Sequence, residues 1–341
     1  MMRATIRDVA QRAGVGLGTV SRVLNNSPLV SPETRQRVLE VIDELQYTPN
    51  PIARSLSLGK TLTIAVIAPF FTRPSVVERL RGIEAALANS GYNLVVFNIE
   101  SAERRDACLR EIPRKERSDG VLLISLPPRA EEISTIKLSG VPLVLIDTYA
   151  PGLPYVVIDN KVGGYIATRH LLELGHQRIA YVSDPLEDPF SFGFTSSYDR
   201  YQGYRKALRE AGIIFHENYH VSGLHGRYEA RRLAHALLSQ PEPPTAIFAA
   251  SDTQAMGVLE AARDQGVDIP GELSVIGFDD IDVAEYLGLT TIRQPLFESG
   301  VRGVEALLNL INAAEDWTAT LVCERLSVEL VVRKTTAVPA A

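Results

Sequence analysis

Between residues 62 and 336, short apolar runs alternate regularly with amphipathic segments, and few folds fit such a pattern. The apolar runs have the length of buried strands, and the amphipathic segments have the length of helices of about three turns or more. The runs cover residues 63–69, 93–98, 120–125, 143–147, 156–159, 178–183, 246–251 and 273–279. Buried strands that alternate with helices predict parallel sheets in an α/β arrangement.

These units are too numerous for one sheet of ordinary size, so the pattern predicts two Rossmann-like lobes. No GxGxxG or GxxxxGKS loop follows any of the runs, and we therefore expect no nucleotide cofactor. The two cysteines, Cys108 and Cys323, have no CxxC partner, and the six histidines lack metal-ligand spacing. The sequence accordingly predicts neither a disulfide nor a metal site.

The first sixty residues have a different pattern, typical of a small bundle of helices. Thr5 is suited to cap a first helix, and Gly14 ends it because glycine tolerates a left-handed conformation. A second helix is predicted from about residue 17 to residue 25, and Ser31 with Pro32 begins a third. A helix, a glycine-bearing turn and a second helix form the helix-turn-helix pattern. Taken alone, this pattern fits either DNA binding or a bundle used for protein contacts.

Charge separates this N-terminal segment from the rest of the chain. The whole chain has a net charge of -6, whereas residues 1–60 contain eight Lys/Arg against five Asp/Glu and carry +3. The remainder therefore carries -9. A basic segment attached to an acidic body favours phosphate as the partner of the helix-turn-helix.

Specific motifs add a resemblance to this pattern. The N-terminal segment resembles the lactose-repressor (LacI/GalR) family of bacterial transcription regulators at Ala13-Gly14-Val15, Thr19-Val20-Ser21-Arg22-Val23-Leu24-Asn25 and Val30-Ser31-Pro32-Glu33-Thr34-Arg35. The body resembles the periplasmic-binding-protein-like core of that family, with landmarks at residues 157–160, 275–280 and 291–295.

The resemblance implies three parts. They are an all-α helix-turn-helix headpiece (1–48), a hinge helix with its linker (49–61), and an effector-binding and dimerisation core (62–336). Lobe one is expected at about 62–161 and 293–322, and lobe two at about 162–292 and 323–336. We expect the tail 335–341 to be frayed.

The same resemblance assigns DNA contacts. The second helix would lie in the major groove, where Leu17, Gly18 and Arg22 occupy the base-reading positions and Arg22 can bond to guanine in bidentate fashion. Ser21 and Thr19 are expected at phosphates. Leu56 is expected to wedge into the minor groove, with an ordinary core leucine as the alternative. The remaining implied DNA contacts are Thr5, Asn25, Asn50 and Ala53.

Two glycines depart from the family pattern. Relatives usually have serine at the position of Gly16 and a polar side chain at that of Gly18. Gly18 brings no side chain to the DNA and costs about 1 kcal/mol relative to alanine inside a helix. The base sequence that this chain reads therefore cannot be copied from a relative.

Candidate effector residues follow from strand ends, because open α/β sheets bind ligands outside the carboxyl ends of their strands. Asp147, Asp252 and Asp279 end or follow apolar runs. Asp279 and Arg200 also match effector-contacting positions of the family. Carboxylates can accept paired hydrogen bonds from vicinal hydroxyls and an arginine fork can donate two, which suits a sugar. A helix-capping role is the alternative for Asp279 and Asp252.

Aromatic residues supply a second set of candidates. Phe70 and Phe71 lie in a loop after the first run, where they would stack on a flat ligand or pack at a rim or dimer surface. His225 is a further, weaker candidate for the cleft. The loop 185–197 contains Phe190, Phe192 and Phe194 and is expected to cover the cleft.

The sequence thus predicts a ligand-responsive, sequence-specific DNA-binding regulator, most often a repressor in this family, and not an enzyme. Its expected partners are operator DNA, a sugar or sugar-phosphate effector and a second copy of the chain, with a nucleobase or nucleoside as the alternative effector. A solute-binding protein is the alternative class. The N-terminus has no apolar signal core and no run is long enough to span a membrane, so we expect a cytoplasmic location.

Overall fold

The computed structural model describes residues 4–24, 27–48, 59–186, 192–313 and 321–340. The chain separates into two compact units, Met1–Thr61 and Leu62–Ala341. Four predicted DNA contacts, Asn25, Asn50, Ala53 and Leu56, lie outside the described residues. In the part of the chain that is described, no helix has both the length and the apolar character needed to cross a membrane.

The headpiece contains three described helices, α1 (Ile6–Ala13), α2 (Leu17–Leu24) and α3 (Pro32–Glu44). Thr5 caps α1: its backbone N–H donates to the Asp8 carboxylate at 2.8 Å, and the Asp8 N–H donates to the Thr5 hydroxyl at 3.4 Å. Gly14 ends α1 with a φ of 65°. The core between the helices consists of Val9, Ala10, Ala13, Val20, Val23, Val38 and Val41.

The second unit contains twelve described strands and nine described α-helices. The strands are β1 (Thr63–Pro69), β2 (Asn93–Ile99), β3 (Gly120–Ile124), β4 (Leu143–Ile146), β5 (Tyr155–Ile158), β6 (Ile179–Ser183), β7 (His220–Ser222), β8 (Ala246–Ala249), β9 (Ser274–Asp279), β10 (Thr290–Arg293), β11 (Cys323–Leu326) and β12 (Glu329–Val331). The helices are α4 (Pro74–Leu87), α5 (Ala102–Glu111), α6 (Ala130–Ser139), α7 (Asn160–Glu173), α8 (Ser196–Glu210), α9 (Arg227–Leu238), α10 (Asp252–Gln265), α11 (Asp282–Leu287) and α12 (Leu296–Asn312).

The strands form two six-stranded sheets, one in each lobe. The lobe-one sheet has the order β11-β5-β4-β3-β1-β2 and is parallel throughout. The lobe-two sheet has the order β12-β10-β9-β8-β6-β7, and β12 is its single antiparallel strand among those described. Central strands such as β3 and β4 are buried along their whole length, as expected for parallel strands covered by helices on both faces. The predicted fold of two α/β lobes is confirmed.

The expected boundary between the lobes at residue 323 is wrong. Strand β11 pairs with β5, so Cys323–Leu326 belongs to the lobe-one sheet, and the chain returns to lobe two only before β12. A four-residue run with alternating burial contains too little apolar sequence to reveal which sheet it joins. Pairing partners far away in the chain decide it.

The tail is not frayed through the described residues. Thr335 is buried; its hydroxyl donates to the Val275 carbonyl at 2.7 Å, and its carbonyl accepts from the Val275 N–H at 2.7 Å. Two histidines hold the next residues, since His170 Nε2 lies 3.0 Å from the Thr336 hydroxyl and His176 Nε2 lies 2.9 Å from the Ala337 carbonyl. These long-range hydrogen bonds compensate for the weak apolar character of the segment.

Candidate functional site

The exposed face of α2 carries the predicted base-reading residues. Leu17 is 46% exposed although it is a large apolar side chain, and Gly18 and Arg22 are exposed beside it. Val20 and Val23 point into the headpiece core, so one face of the helix is left for a partner. Arg22 makes no ion pair with another described residue. The positions one turn apart, 17 with 21 and 18 with 22, form a single stripe of the kind that fits a major groove.

The structure also locates the two glycines that depart from the family pattern. A β-carbon at Gly16 or Gly18 would meet no atom within 4 Å in the described structure. Close packing therefore does not require glycine at either position, and the reading surface of the headpiece has room for larger side chains.

A cleft between the two lobes of the core is the candidate ligand site. Together with its mouth it contains about 940 Å³ of space outside the protein atoms, part of which is open solvent. Polar side chains from both lobes line it. They are Arg73, Ser75, Arg79, Ser125 and Asp147 from lobe one, Asp184, Ser196, Ser197, Tyr198, Arg200, His225, Ser251, Gln254 and Asp279 from lobe two, and Gln294 from the segment between them.

On the lobe-one side, Arg79 of α4 forms a buried ion pair. Its Nη2 lies 2.8 Å from Oδ1 of Asp147, which follows β4. The Ser125 hydroxyl donates to the other oxygen of Asp147 at 2.6 Å. Both oxygens of this predicted effector residue are therefore already engaged by its own lobe.

On the lobe-two side, Arg200 of α8 is held by contacts to its Nε, its Nη1 and the face of its guanidinium group. Its Nε donates to Asn160 at 2.8 Å, its Nη1 donates to the Ala250 carbonyl, and its guanidinium carbon lies 3.7 Å from the Phe278 ring centroid. Asp279 at the end of β9 is 3.7 Å from Nη1. These contacts orient the guanidinium and leave Nη2 without a hydrogen bond to a described residue.

Gln294 joins the two arginine–aspartate pairs. Its Oε1 accepts from Arg79 at 3.0 Å, and its Nε2 donates to Asp279. Burial raises the pKa of Asp279, and the positive charge of Arg200 opposes that rise. A continuous hydrogen-bonded chain thus runs from Asp147 in lobe one to Asp279 in lobe two.

Glycines set the position of both arginines. A β-carbon at Gly164 would lie 2.2 Å from the Arg200 carbonyl oxygen, and one at Gly300 would lie 2.2 Å from the Arg79 carbonyl oxygen. No side chain fits at such distances, so α7 can approach α8, and α12 can approach α4, only through glycine. Each helix that carries a cleft arginine is therefore fixed by a close backbone contact.

The backbone at the strand ends is strained where it meets the cleft. Ser125, Asp147 and Asp279 have positive φ angles of 55°, 62° and 124°. Non-glycine residues in such conformations cost on the order of 1–3 kcal/mol each and concentrate at functional sites. The strain turns these side chains from the sheet toward the space between the lobes.

A third arginine and a third aspartate lie at the cleft, Arg73 from lobe one and Asp184 from lobe two. Burial alone would raise the pKa of Asp184, but a 3.1 Å hydrogen bond from His225, the charge of His225 and that of Arg73 lower it overall. Burial lowers the pKa of Arg73, and the charge of Asp184 opposes this effect. Asp184 is thus held as an ionised carboxylate at neutral pH.

Asp252, a predicted effector residue, does not line the cleft. It is fully buried, where its carboxyl group accepts from the Thr291 hydroxyl at 2.6 Å and from the Ile281 N–H at 3.0 Å. Burial, followed by the neighbouring charge of Asp279, raises its pKa well above the ordinary value. Asp252 therefore ties the start of α10 to strand β10 and to the residue before α11. These contacts indicate a structural role for Asp252 and not contact with a ligand.

Phe70 and Phe71 also lie away from the described lining of the cleft. The Phe70 ring centroid is 6.0 Å from that of Phe192, and the Arg73 guanidinium lies 4.3 Å from it. Phe71 is 40% exposed on an apolar surface that includes Val77. The fold thus brings the predicted effector residues Arg200, Asp279 and Asp147 together at the cleft. Phe70 and Phe71 instead occupy positions that fit the alternative prediction for them, packing at a rim or at a dimer surface.

Several cleft residues were not predicted. Asp184 directly follows strand β6, so the strand-end rule that selected Asp147 would also have selected it. Arg79 and Gln254 lie on helices, and Gln294 lies in a crossing segment, where one sequence gives no signal for a cleft. Among the described residues no group of His, Cys, Asp and Glu has an arrangement that could hold a metal ion.

Comparisons with known proteins agree with this architecture. The family "Bacterial regulatory proteins, lacI family" matches residues 5–50, and the "Periplasmic binding protein-like domain" matches residues 168–336. Catabolite control protein A of Priestia megaterium is 34% identical over 315 residues, which cover 91% of this chain and 93% of the relative.

Two solved structures extend the similarity to three dimensions. A lac repressor dimer bound to operator and the anti-inducer ONPF has a TM-score of 0.85 at 27% identity, covering 98% of this chain and 100% of that chain. The regulator CelR in complex with cellobiose has a TM-score of 0.69 at 32% identity, with the same coverage. The chain therefore belongs to the lacI family of bacterial regulatory proteins and is a ligand-responsive, sequence-specific DNA-binding transcription regulator, as its motifs predict.

Proposed function

We propose that this regulator is a cytoplasmic homodimeric repressor whose operator affinity is set by a sugar-like effector bound in the cleft between the lobes. The observation that carries the proposal is the arrangement around Arg200, whose fork is oriented by Asn160 and Phe278 while Nη2 has no hydrogen bond to a described residue. An arginine in this state can donate to a ring or hydroxyl oxygen of a sugar. Asp279 beside it can accept from hydroxyls.

An apolar surface on lobe one supports the dimer. Its members lie on α4, β2 and the start of α12 and in the loop before α4, and four of them are more than a third exposed. They are Phe71, Val77, Leu80, Leu94, Val96 and Phe297. Apolar patches of this kind commonly mark protein interfaces. A second copy of the chain is the proposed occupant, and two headpieces would then match a near-palindromic operator.

We infer that the cleft binds its ligand without catalysing a reaction. Each oxygen of Asp147 is held by a donor, and Asp184 accepts hydrogen bonds from His225, Gln254 and Ser197. Carboxylates fixed in this way orient a ligand but are poorly placed to take up a proton during a reaction. Incubation with candidate sugars followed by product analysis tests this inference, and turnover would contradict it.

A nucleoside is the second candidate effector. Phe194 and Tyr198 line the cleft and offer aromatic surface for a base. A thermal-shift screen of sugars and nucleosides separates the two, because a ligand at 100 times its dissociation constant stabilises the protein by about 2.7 kcal/mol.

The DNA-binding half of the proposal is tested by selecting operators from a random DNA library and comparing two arginine variants. Arg22→Ala removes a base-reading side chain from α2 and should weaken specific binding by roughly 1–3 kcal/mol. Arg37→Ala removes the same charge from an exposed position of α3 and serves as the matched control. Equal losses of affinity in both variants would show that α2 is not the reading helix.

A further inference from the structure

One aromatic residue of lobe two is buried in the core of lobe one. Phe192 comes from the connection between β6 and α8, which are both elements of lobe two. Its side chain is 1% exposed and, among the described residues, it is the one buried member of the lobe-one hydrophobic cluster that lobe two supplies. Its ring centroid lies 6.0 Å from that of Phe70, which follows β1. The opposite lobe therefore shields the Phe192 ring from water.

The two residues after Phe192 also contact lobe one. Gly193 has a φ of 84°, and a β-carbon there would lie 2.7 Å from Cγ of Pro127, in the connection between β3 and α6. Pro127 is itself held, because its carbonyl accepts from Nη2 of buried Arg105 at 2.9 Å. Phe194 packs against the same lobe-one cluster, and its ring meets that of Phe192 edge to face at 5.4 Å. We call residues 192–194 the strap.

The strap leads directly into the helix that carries the lobe-two half of the cleft. Helix α8 begins at Ser196, and its residues Ser197 and Arg200 line the cleft. A single residue, Thr195, separates the strap from this helix, and one extended residue spans at most about 3.6 Å. The start of α8 therefore cannot move far from lobe one while Phe192 stays in the lobe-one core.

We propose that the strap is an anchor between the lobes, with Phe192 as a positioning residue that fixes the separation of the two halves of the cleft before any ligand binds. Opening the lobes would expose the Phe192 ring to water and leave a cavity in the lobe-one core, and both changes are unfavourable. A ligand then meets a cleft whose width the protein has already set, which reduces the ordering cost of binding. This inference concerns the free protein and does not depend on which effector the cleft takes.

The test measures the distance between the lobes of the full-length protein without ligand or DNA. Nitroxide labels are attached through Ser134→Cys on α6 and Ala236→Cys on α9, which are exposed positions, in a background with Cys108→Ala and Cys323→Ser. Labelled chains are diluted with unlabelled chain, so that each measured pair of labels lies in one copy. Pulsed electron paramagnetic resonance should give one narrow distance. Phe192→Ala should broaden the distribution and lengthen its mean by more than about 4 Å, beyond the slack of one extended residue.

Two further variants separate the anchor from a general loss of core packing. Leu109→Ala removes a buried side chain that lobe one itself supplies to the same cluster, and it should keep the narrow distance. Gly193→Ala keeps the Phe192 ring but presses the strap against Pro127, so it should lengthen the distance even if Phe192→Ala does not fold.

A longer distance in either strap variant supports the proposal. A broad distribution with the strap intact, an unchanged distance in both strap variants, or an equal lengthening in Leu109→Ala would overturn it. Neither sugar nor operator enters this experiment, so its failure leaves the tests of the proposed function unaffected.

Discussion

Each lobe places one arginine at the cleft from within a helix, Arg79 from α4 and Arg200 from α8, and the two differ in how firmly other groups of the protein hold them. Arg79 and Arg200 both lie on a helix whose backbone carbonyl contacts a glycine of the neighbouring helix. Arg79 makes a short ion pair with Asp147 inside its own lobe and a hydrogen bond to Gln294. Arg200 has only a long contact with Asp279 and is held instead by neutral acceptors and an aromatic ring.

This difference indicates different roles. A buried ion pair is poorly suited to exchange its partner for a ligand, because removing one member leaves an uncompensated charge. A guanidinium held by neutral groups can accept a ligand without breaking such a pair. We therefore assign Arg79 to the architecture of lobe one and Arg200 to ligand binding, and the following predictions test that assignment.

Replacement of each arginine by methionine should separate the two roles most clearly. Arg79→Met leaves Asp147 buried without its cation and should lower the free energy of unfolding by about 3–5 kcal/mol. Arg200→Met should cost about 2 kcal/mol, since it removes hydrogen bonds to neutral acceptors, but it should abolish stabilisation by any sugar that binds the wild type. Urea denaturation with and without the sugar measures both effects. Equal losses of stability, or sugar binding that survives in Arg200→Met, would end the distinction.

Alanine at Gly300 and alanine at Gly164 should lower the stability of the protein by similar amounts but should differ in their effect on sugar binding. Gly300→Ala and Gly164→Ala each place a β-carbon 2.2 Å from a carbonyl oxygen, and overpacking of this kind costs about 1–3 kcal/mol. Only Gly164→Ala should also weaken sugar binding, because it displaces Arg200. Gly18→Ala is the control: its β-carbon meets no described atom, and alanine should stabilise the helix by about 1 kcal/mol. Calorimetric unfolding and ligand titration of the three variants provide the comparison.

Acid should weaken lobe two more than lobe one, because the three histidines whose pKa burial lowers, His170, His176 and His220, all belong to lobe two. Burial lowers the pKa of His170 and of His176. Below about pH 6.5 the unfolded chain takes up protons that the folded chain resists, so stability is lost as the pH falls through that value. Hydrogen exchange at pH 7 and pH 5.5 should show faster opening in lobe-two peptides.

The variant His176→Asn checks the cause of that sensitivity. It should cost about 2 kcal/mol at pH 7, because the contacts of His176 with Thr245 and Ala337 are lost, and it should flatten the further loss toward pH 5.5. An unchanged pH dependence in this variant would assign the effect to carboxylates instead.

The sequence predicted the overall architecture because each helix and each buried strand carries its own local signal. The headpiece helices carry their own caps at Thr5 and Ser31 and their own glycine stop at Gly14. Each buried strand is an apolar run set between helices, which predicts a parallel sheet wherever it occurs. The short strands β7, β10 and β11 were not among the predicted apolar runs, since their few residues gain stability only from neighbours distant in sequence.

The residues of the cleft fall into two groups, those that sequence motifs identify and those that only the folded structure reveals. The sequence by itself identified Arg200, Asp279 and Asp147, because a family motif or a strand end marks each of them. The folded chain shows in addition that Asp252 is a buried structural acid. It also shows that Arg79, Gln294 and Asp184 line the cleft, with Arg79 paired to Asp147 and Gln294 bonded to both Arg79 and Asp279. The physical reason is that a carboxylate or guanidinium acquires its role from the charges and donors around it. In this protein those neighbours come from helices, strand ends and crossing segments up to 215 positions apart.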